Sequence, residues 1–156
     1  MSELSAGRGR SPRPPGGATR ENLGFLLAKA VQRWNELLYE RFVAAGYPDV
    51  RPSYGSILVP LFEEDGLRMG ELAARARLSK QTMTTMVRLL ERDGLVERRA
   101  DPSDGRASLV FLSERAHDFR PVAEATLAEL DRLVVRTLSA RSCTELRKAL
   151  RSLADL

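Results

Sequence analysis

The sequence has 156 residues, 43% hydrophobic and 29% charged, which excludes a disordered chain and a pair of large domains and leaves room for one core or a reading head joined to an assembly region. Lys and Arg outnumber Asp and Glu by 25 to 21, a net charge of +4 that permits nucleic-acid binding without requiring it. The single cysteine, Cys143, excludes an internal disulfide, and apolar runs of only a few residues exclude a membrane-spanning helix, so the chain reads as cytoplasmic, with no membrane partner.

Residues 1–20 combine Gly, Pro, Ser and Arg with little to bury and read as a disordered basic tail. From Leu23 onward, Leu27, Ala30, Val31, Trp34, Leu38 and Phe42 recur at three- and four-residue steps, predicting a long helix that ends at Gly46, Tyr47 and Pro48. Leu26 and Leu37 widen its apolar face beyond what one contact surface needs, which points to burial against another chain. A second helix is expected from Ser53, with Ile57, Leu58, Leu61 and Phe62 inward and a stop at the acidic turn Glu63-Glu64-Asp65-Gly66. Residues 21–64 thus read as N-terminal helices for dimerisation and support of the head.

The central stretch, residues 65–112, carries three agreeing signals. Leu72, Ala73 and Ala76 make a short helix, and after Leu78 the side chain of Ser79 is placed to cap a second one, a helix-turn-helix pattern. That second helix buries Met83, Met86, Val87 and Leu90, leaving Lys80, Gln81, Thr82, Thr84, Thr85 and Arg88 toward its start and outer faces. Such side chains suit the major groove, where Gln pairs with adenine, Arg or Lys with guanine, and Thr meets a thymine methyl. A helix stop at Gly94, a strand from Leu95, a Pro/Ser/Asp/Gly turn and a returning strand to Leu112 make a β-ribbon with a polar tip. Arg98, Arg99 and Arg106 flank or occupy that tip and suit phosphates or a narrow minor groove. Asp101 and Asp104 suit a local role, accepting backbone hydrogen bonds in the turn or holding an arginine. Nine basic against six acidic residues between Leu67 and Leu112 place most of the net charge here.

Beyond the ribbon, Ser113 caps a further long helix in which Phe119, Val122, Ala123, Leu127, Leu130, Leu133, Val134 and Leu138 keep helical spacing, with a bend expected at Pro121. Ser142 and Glu145 have capping-box spacing for a last helix with Leu146, Leu150 and Leu153 on its apolar face, so 113–156 read as C-terminal dimerisation helices.

The run ELAARARLSKQTMTTMVRLLERDGLVERRADPSDGRASLVFLSERA resembles the winged helix-turn-helix core of MarR-type bacterial regulators, and the order of the flanking helices extends the resemblance over roughly residues 22 to 156. It implies a mainly α fold with a small antiparallel β-wing and a homodimer held by the first and last helices. It further implies that Ser79, Lys80, Gln81, Thr82, Thr84, Thr85 and Arg88 face the major groove of double-stranded DNA, and that Asp104 braces the wing while Arg106 enters the minor groove. Two departures stand out: Arg77 occupies a turn position where many relatives have Gly, and Gly105 replaces a second arginine in the wing. Repression through a pseudo-palindromic operator, and a small-molecule effector bound near Trp34, Tyr39, Tyr54 and Phe62, are also what the resemblance implies.

The rival readings are a winged-helix module for protein interaction or RNA binding without operator specificity, and an enzyme. One His, one Cys and no Gly-rich phosphate loop leave little for catalysis. His117, Cys143 and the acidic turn lack metal-ligand spacing, so no cofactor is expected.

Overall fold

Helices begin and end in this protein where side-chain caps and left-handed residues place them, as the computed structural model shows for residues 18–156. The tail expected over 1–20 falls mostly outside the described residues. The described residues divide into two compact units, one ending at Trp34 and the other spanning Asn35–Leu156. In the first, Asn22 Oδ1 accepts the backbone N–H of Gly24 at 3.0 Å and opens α1 (Leu23–Ala44). Gly46, at φ 91°, ends that helix, with the Tyr47 N–H donating back to the Phe42 carbonyl at 2.8 Å.

In the second unit, a 3-10 turn (Pro52–Tyr54) leads into α2 (Gly55–Glu63), so the regular helix starts two residues later than Ser53. Next come β1 (Leu67–Arg68), α3 (Met69–Ala76), α4 (Lys80–Arg92), β2 (Val96–Asp101) and β3 (Asp104–Leu112). The three strands form an antiparallel sheet in the order β1-β3-β2. β1 has only two residues, too short to show alternation, and is absent from the sequence reading. Leu95 is buried ahead of β2 rather than within it, its N–H donating to the Leu90 carbonyl at 2.8 Å as part of the end of α4.

Two long helices follow, α5 (Glu114–Leu138) and α6 (Ala140–Ala154). Pro121 lies inside α5, which continues through it. The expected cap of α6 is corrected. Ser139, not Ser142, is the N-cap, accepting the Ser142 N–H at 3.3 Å, which shifts Ser142 into the first turn.

Ile57, Leu58 and Leu61 of α2, Leu72 of α3, and Met83, Val87 and Leu90 of α4 meet Leu67, Leu95 and Val110 in one fully buried core. Beside it, Phe119 of α5 packs edge-on to Phe42 at 4.9 Å and against Tyr47 at 5.0 Å. This core fixes α4 on the body of the domain while its polar side faces out.

Candidate nucleic-acid interface

The first turn of α4 is set by Ser79. Its Oγ accepts the Thr82 N–H at 3.1 Å, and the two hydroxyls lie 2.9 Å apart. With Met83, Val87 and Leu90 buried, helical geometry leaves Lys80, Gln81, Thr82, Thr85 and Arg88 exposed and Thr84 half-buried; Met86, expected inside, is also only half-buried. No acidic residue stands in the first turn, and Lys80 and Arg88 make no ion pair among the described residues. The Thr84 and Thr85 hydroxyls donate to the carbonyls of Lys80 and Gln81 at 2.9 and 3.1 Å, committing the O–H groups to the helix.

The far end of α4 is anchored by groups from three other segments. Gly94, at φ 70°, takes the left-handed conformation that stops the helix. The wholly buried Tyr54 donates its hydroxyl to Asp93 Oδ2, while Arg92 contacts the same carboxylate at 3.0 and 3.3 Å. Arg92 holds the Asp93 carboxyl below its ordinary pKa, the Tyr54 hydroxyl adding to this against partial burial; burial, then the hydrogen bond to Asp93 and its charge, pushes the Tyr54 phenol up. Arg115 of α5 donates to the Asp93 carbonyl and pairs with Asp49 at 2.6 Å. Ser113 Oγ donates to the Gly94 carbonyl at 2.6 Å and accepts the Ala116 N–H at 3.2 Å, so one residue closes α4 and opens α5.

The hairpin of β2 and β3 turns at Pro102 and Ser103, with a bulge at Ala100/Asp101. Arg98 and Arg99 lie on the body of β2, not at the tip. Glu91 of α4 holds Arg98 at 2.9 Å; Arg99 pairs with Glu97 at 3.2 Å and lies 4.4 Å over the Phe111 ring. The other edge of that ring packs on Gly66, where an added Cβ would stand 2.6 Å from Phe111. Asp104 Oδ1 accepts the Arg106 N–H at 3.1 Å, and the exposed Arg106 side chain makes no ion pair among the described residues. Asp101 is only 6% exposed and receives the Ser103 N–H and hydroxyl at 2.8 and 2.7 Å and Arg68 at 2.6 Å. The Ser103 donors, with Arg68 in support, hold its carboxyl below the ordinary range.

The side chains suggested for an effector pocket are dispersed in kind. Tyr54 is a core residue with its hydroxyl committed to Asp93, Tyr39 is exposed and donates to the Pro48 carbonyl at 3.0 Å, and Phe62 is half-buried beneath Arg120 at 5.2 Å. Trp34, half-buried, belongs to the first unit. Arg77 keeps the turn between α3 and α4 in glycine-like geometry at φ 52°, and its guanidinium binds the Ala154 carbonyl and Asp155 at the end of α6. The sequence reading missed Arg68, Arg115 and the Tyr54–Asp93 contact. Only the Asp-rich turn, with its need for an arginine partner, hinted at the first.

A capped helix with no acid in its first turn, mounted beside a three-stranded sheet whose hairpin projects basic side chains, defines a winged helix-turn-helix protein. The MarR family profile matches residues 52–108. Over 95 residues, 61% of this chain and 68% of the relative, the chain is 34% identical to the HTH-type transcriptional repressor Rv2887 of Mycobacterium tuberculosis. The PcaV transcriptional regulator of Streptomyces coelicolor, solved with its natural ligand, superposes with a TM-score of 0.75 at 22% identity, covering 90% of this chain and 97% of that one. The S. aureus MepR–DNA complex gives 0.70 at 19%, covering 86% and 96%. The chain belongs to the MarR family of transcriptional regulators. No helix among the described residues is long and apolar enough to cross a membrane.

Proposed function

We propose that the protein is a homodimeric, sequence-specific repressor that binds a pseudo-palindromic operator and responds to a small effector. The observation that carries DNA reading is the outer face of α4, where Lys80, Gln81, Thr82, Thr85 and Arg88 are exposed and no acid stands in the first turn. In this reading Ser79 and those side chains, with Thr84, meet bases and phosphates in the major groove, and Arg106 enters the adjoining minor groove. Asp104 shapes the wing through the Arg106 N–H. Arg98 and Arg99, held by Glu91, Glu97 and Phe111, approach phosphates as oriented rather than free cations. The DNA-bound MepR structure supports the docking mode, and the repressor name of the mycobacterial relative supports the sign of regulation.

The dimer rests on apolar surface that a single copy leaves bare. Leu127 and Leu138 of α5 and Leu146, Leu150 and Leu153 of α6 are 37–43% exposed, as are, more strongly, Leu23 and Val31 of α1 at 58% each. A second copy seated on these helices would present two α4 helices to successive major grooves, about 34 Å apart. The effector assignment draws support from the ligand-bound PcaV structure. Accordingly, 65–112 is the DNA-binding domain and 21–64 and 113–156 carry assembly.

Selection of bound duplexes from a random pool, with light scattering of the free protein, tests the reading together. A palindromic consensus and a dimer mass are expected. Equal retention of all duplexes, or retention of RNA or protein alone, replaces operator recognition with an interaction module.

A further inference from the structure

Arg68 stands in the N-cap position of α3, with φ −65° and ψ 149°, where a short hydrogen-bonding side chain is commonly found. The capping work there falls to Glu71, whose carboxylate accepts the Arg68 N–H at 3.1 Å from the third helical position. This releases the guanidinium to cross to the hairpin. Nη2 contacts Asp101 Oδ2 at 2.6 Å and donates to Ser103 Oγ at 3.0 Å. Both partners sit at the wing tip, about 35 residues away in sequence, and β1 has already brought the Arg68 backbone opposite Leu109 of β3.

The chain of contacts runs on to Arg106. Asp101 pairs across the turn with Asp104, and Asp104 accepts the Arg106 N–H. Arg68 and Arg106 border one open cleft, together with Met69, Gly70, Glu71 and Ser108. An exposed two-residue hairpin turn is ordinarily among the more mobile parts of a fold. Here a nearly buried carboxylate, fed by three donor groups of which Arg68 supplies one, ties it to the foot of the helix-turn-helix.

Building on the duplex-reading assignment above, we propose that Arg68 is a positioning residue: its grip on Asp101 and Ser103 fixes the wing tip against α3, so that Arg106 is presented to the minor groove in one orientation. The ordering of the tip then takes place on folding rather than on binding, and the affinity of the wing for DNA rises by the entropy not spent at the interface.

The decisive variant is Asp101→Asn in the full chain, because charge and positioning predict opposite signs. Removing a negative charge from a DNA-facing wing tightens duplex binding if electrostatics alone acts. Loss of the clamp weakens it, by roughly ten-fold for the loss of a charge-assisted contact. Arg68→Met is expected to weaken binding to a similar extent, with the double variant no worse than either single one and Arg68→Lys recovering part of the loss. The probe is a duplex recovered from the random pool, titrated over a range of salt. Arg68→Met keeps the wild-type salt slope, since Arg68 itself neutralises no phosphate.

Without DNA, the amides of Ser103 and Arg106 exchange faster with solvent in both single variants. This arm reads the clamp even if no duplex is bound. Should Asp101→Asn fail to melt cooperatively, Arg68→Met carries the same comparison. Unchanged or tighter binding by Asp101→Asn, a shallower salt slope for Arg68→Met, or unaltered exchange at the wing each overturns the proposal. A wild-type protein that retains no duplex overturns the reading on which it rests.

Discussion

Replacing Tyr54 by Phe tests how the recognition helix is anchored. Tyr54 is wholly buried, its ring stays in place in the variant, and no cavity larger than one oxygen is created, so the loss is confined to the hydrogen bond with Asp93. A bond to a charged acceptor contributes about 1.5–3 kcal/mol. Arg92 still contacts the Asp93 carboxylate at 3.0 Å, which leaves that group partnered and places the expected loss near the lower end, about 1.5 kcal/mol. For a chain of this size that lowers the melting temperature by about 3–6 °C. Urea unfolding at neutral pH measures it directly, with Tyr39→Phe as the exposed control expected to change stability by less than about 0.5 kcal/mol. The effect carries a pH signature. Asp93 is held below its ordinary value, so the stability it contributes is complete above the unfolded carboxyl range and is lost as pH falls through the folded value. Tyr54 is pushed up, so its share is complete below the ordinary phenol value and fades as pH rises through the folded one. The gap between wild type and Tyr54→Phe should therefore be flat from about pH 5 to 9 and narrow below about pH 4. Equal stability of the two proteins at pH 7, or a gap that widens in acid, refutes the anchoring argument.

Arg106→Ala removes an exposed side chain that has no ion-pair partner among the described residues, so folding stability should shift by no more than about 0.5 kcal/mol. In fluorescence titrations against a selected duplex, the salt slope should become shallower by about 0.9 and the affinity fall; an identical slope would remove the wing contact from the mechanism. Gly66→Ala places a Cβ 2.6 Å from Phe111 at φ +70°, and calorimetry should report a loss of about 2 kcal/mol or more. Arg77→Gly relieves a left-handed non-glycine residue at φ 52° while surrendering an exposed pair with Asp155 and a bond to the Ala154 carbonyl. Chemical denaturation should show a net gain of up to about 1 kcal/mol, and a clear loss would mean that the tie to α6 outweighs backbone strain.

Local chemistry made much of this molecule legible before its structure. Ser79 and Ser113 cap helices because a hydroxyl next to a free N–H acts over three residues, a distance the sequence displays directly. Met83, Val87 and Leu90 at helical spacing fix which side of α4 is buried and so which side chains face out. At the start of α6 capping chemistry misleads because two serines compete. Ser139 and Ser142 are each followed by a plausible first turn, and it is the left-handed φ of 83° at Ser139, invisible in sequence, that decides for the earlier one.

The contacts that hold the reading head in place were not legible, because each joins residues far apart in the chain through groups with several eligible partners. Among the nine basic residues between Leu67 and Leu112, nothing in spacing distinguishes Arg68, which reaches Asp101, from Arg98, which reaches Glu91, or from Arg106, which makes no ion pair among the described residues. The distinction is made by the two residues of β1, which bring Arg68 opposite Leu109 at the cost of only two rungs of sheet. The same applies at the other end of α4. Tyr54 reads as one more aromatic core residue until the 3-10 turn ahead of α2 lays its hydroxyl against Asp93, and Arg115 reads as one more surface cation until α5 brings it to the Asp93 carbonyl. A basic composition therefore identifies a surface suited to an anionic polymer, but which cations are oriented and which are free follows only from the carboxylates that the fold delivers to them.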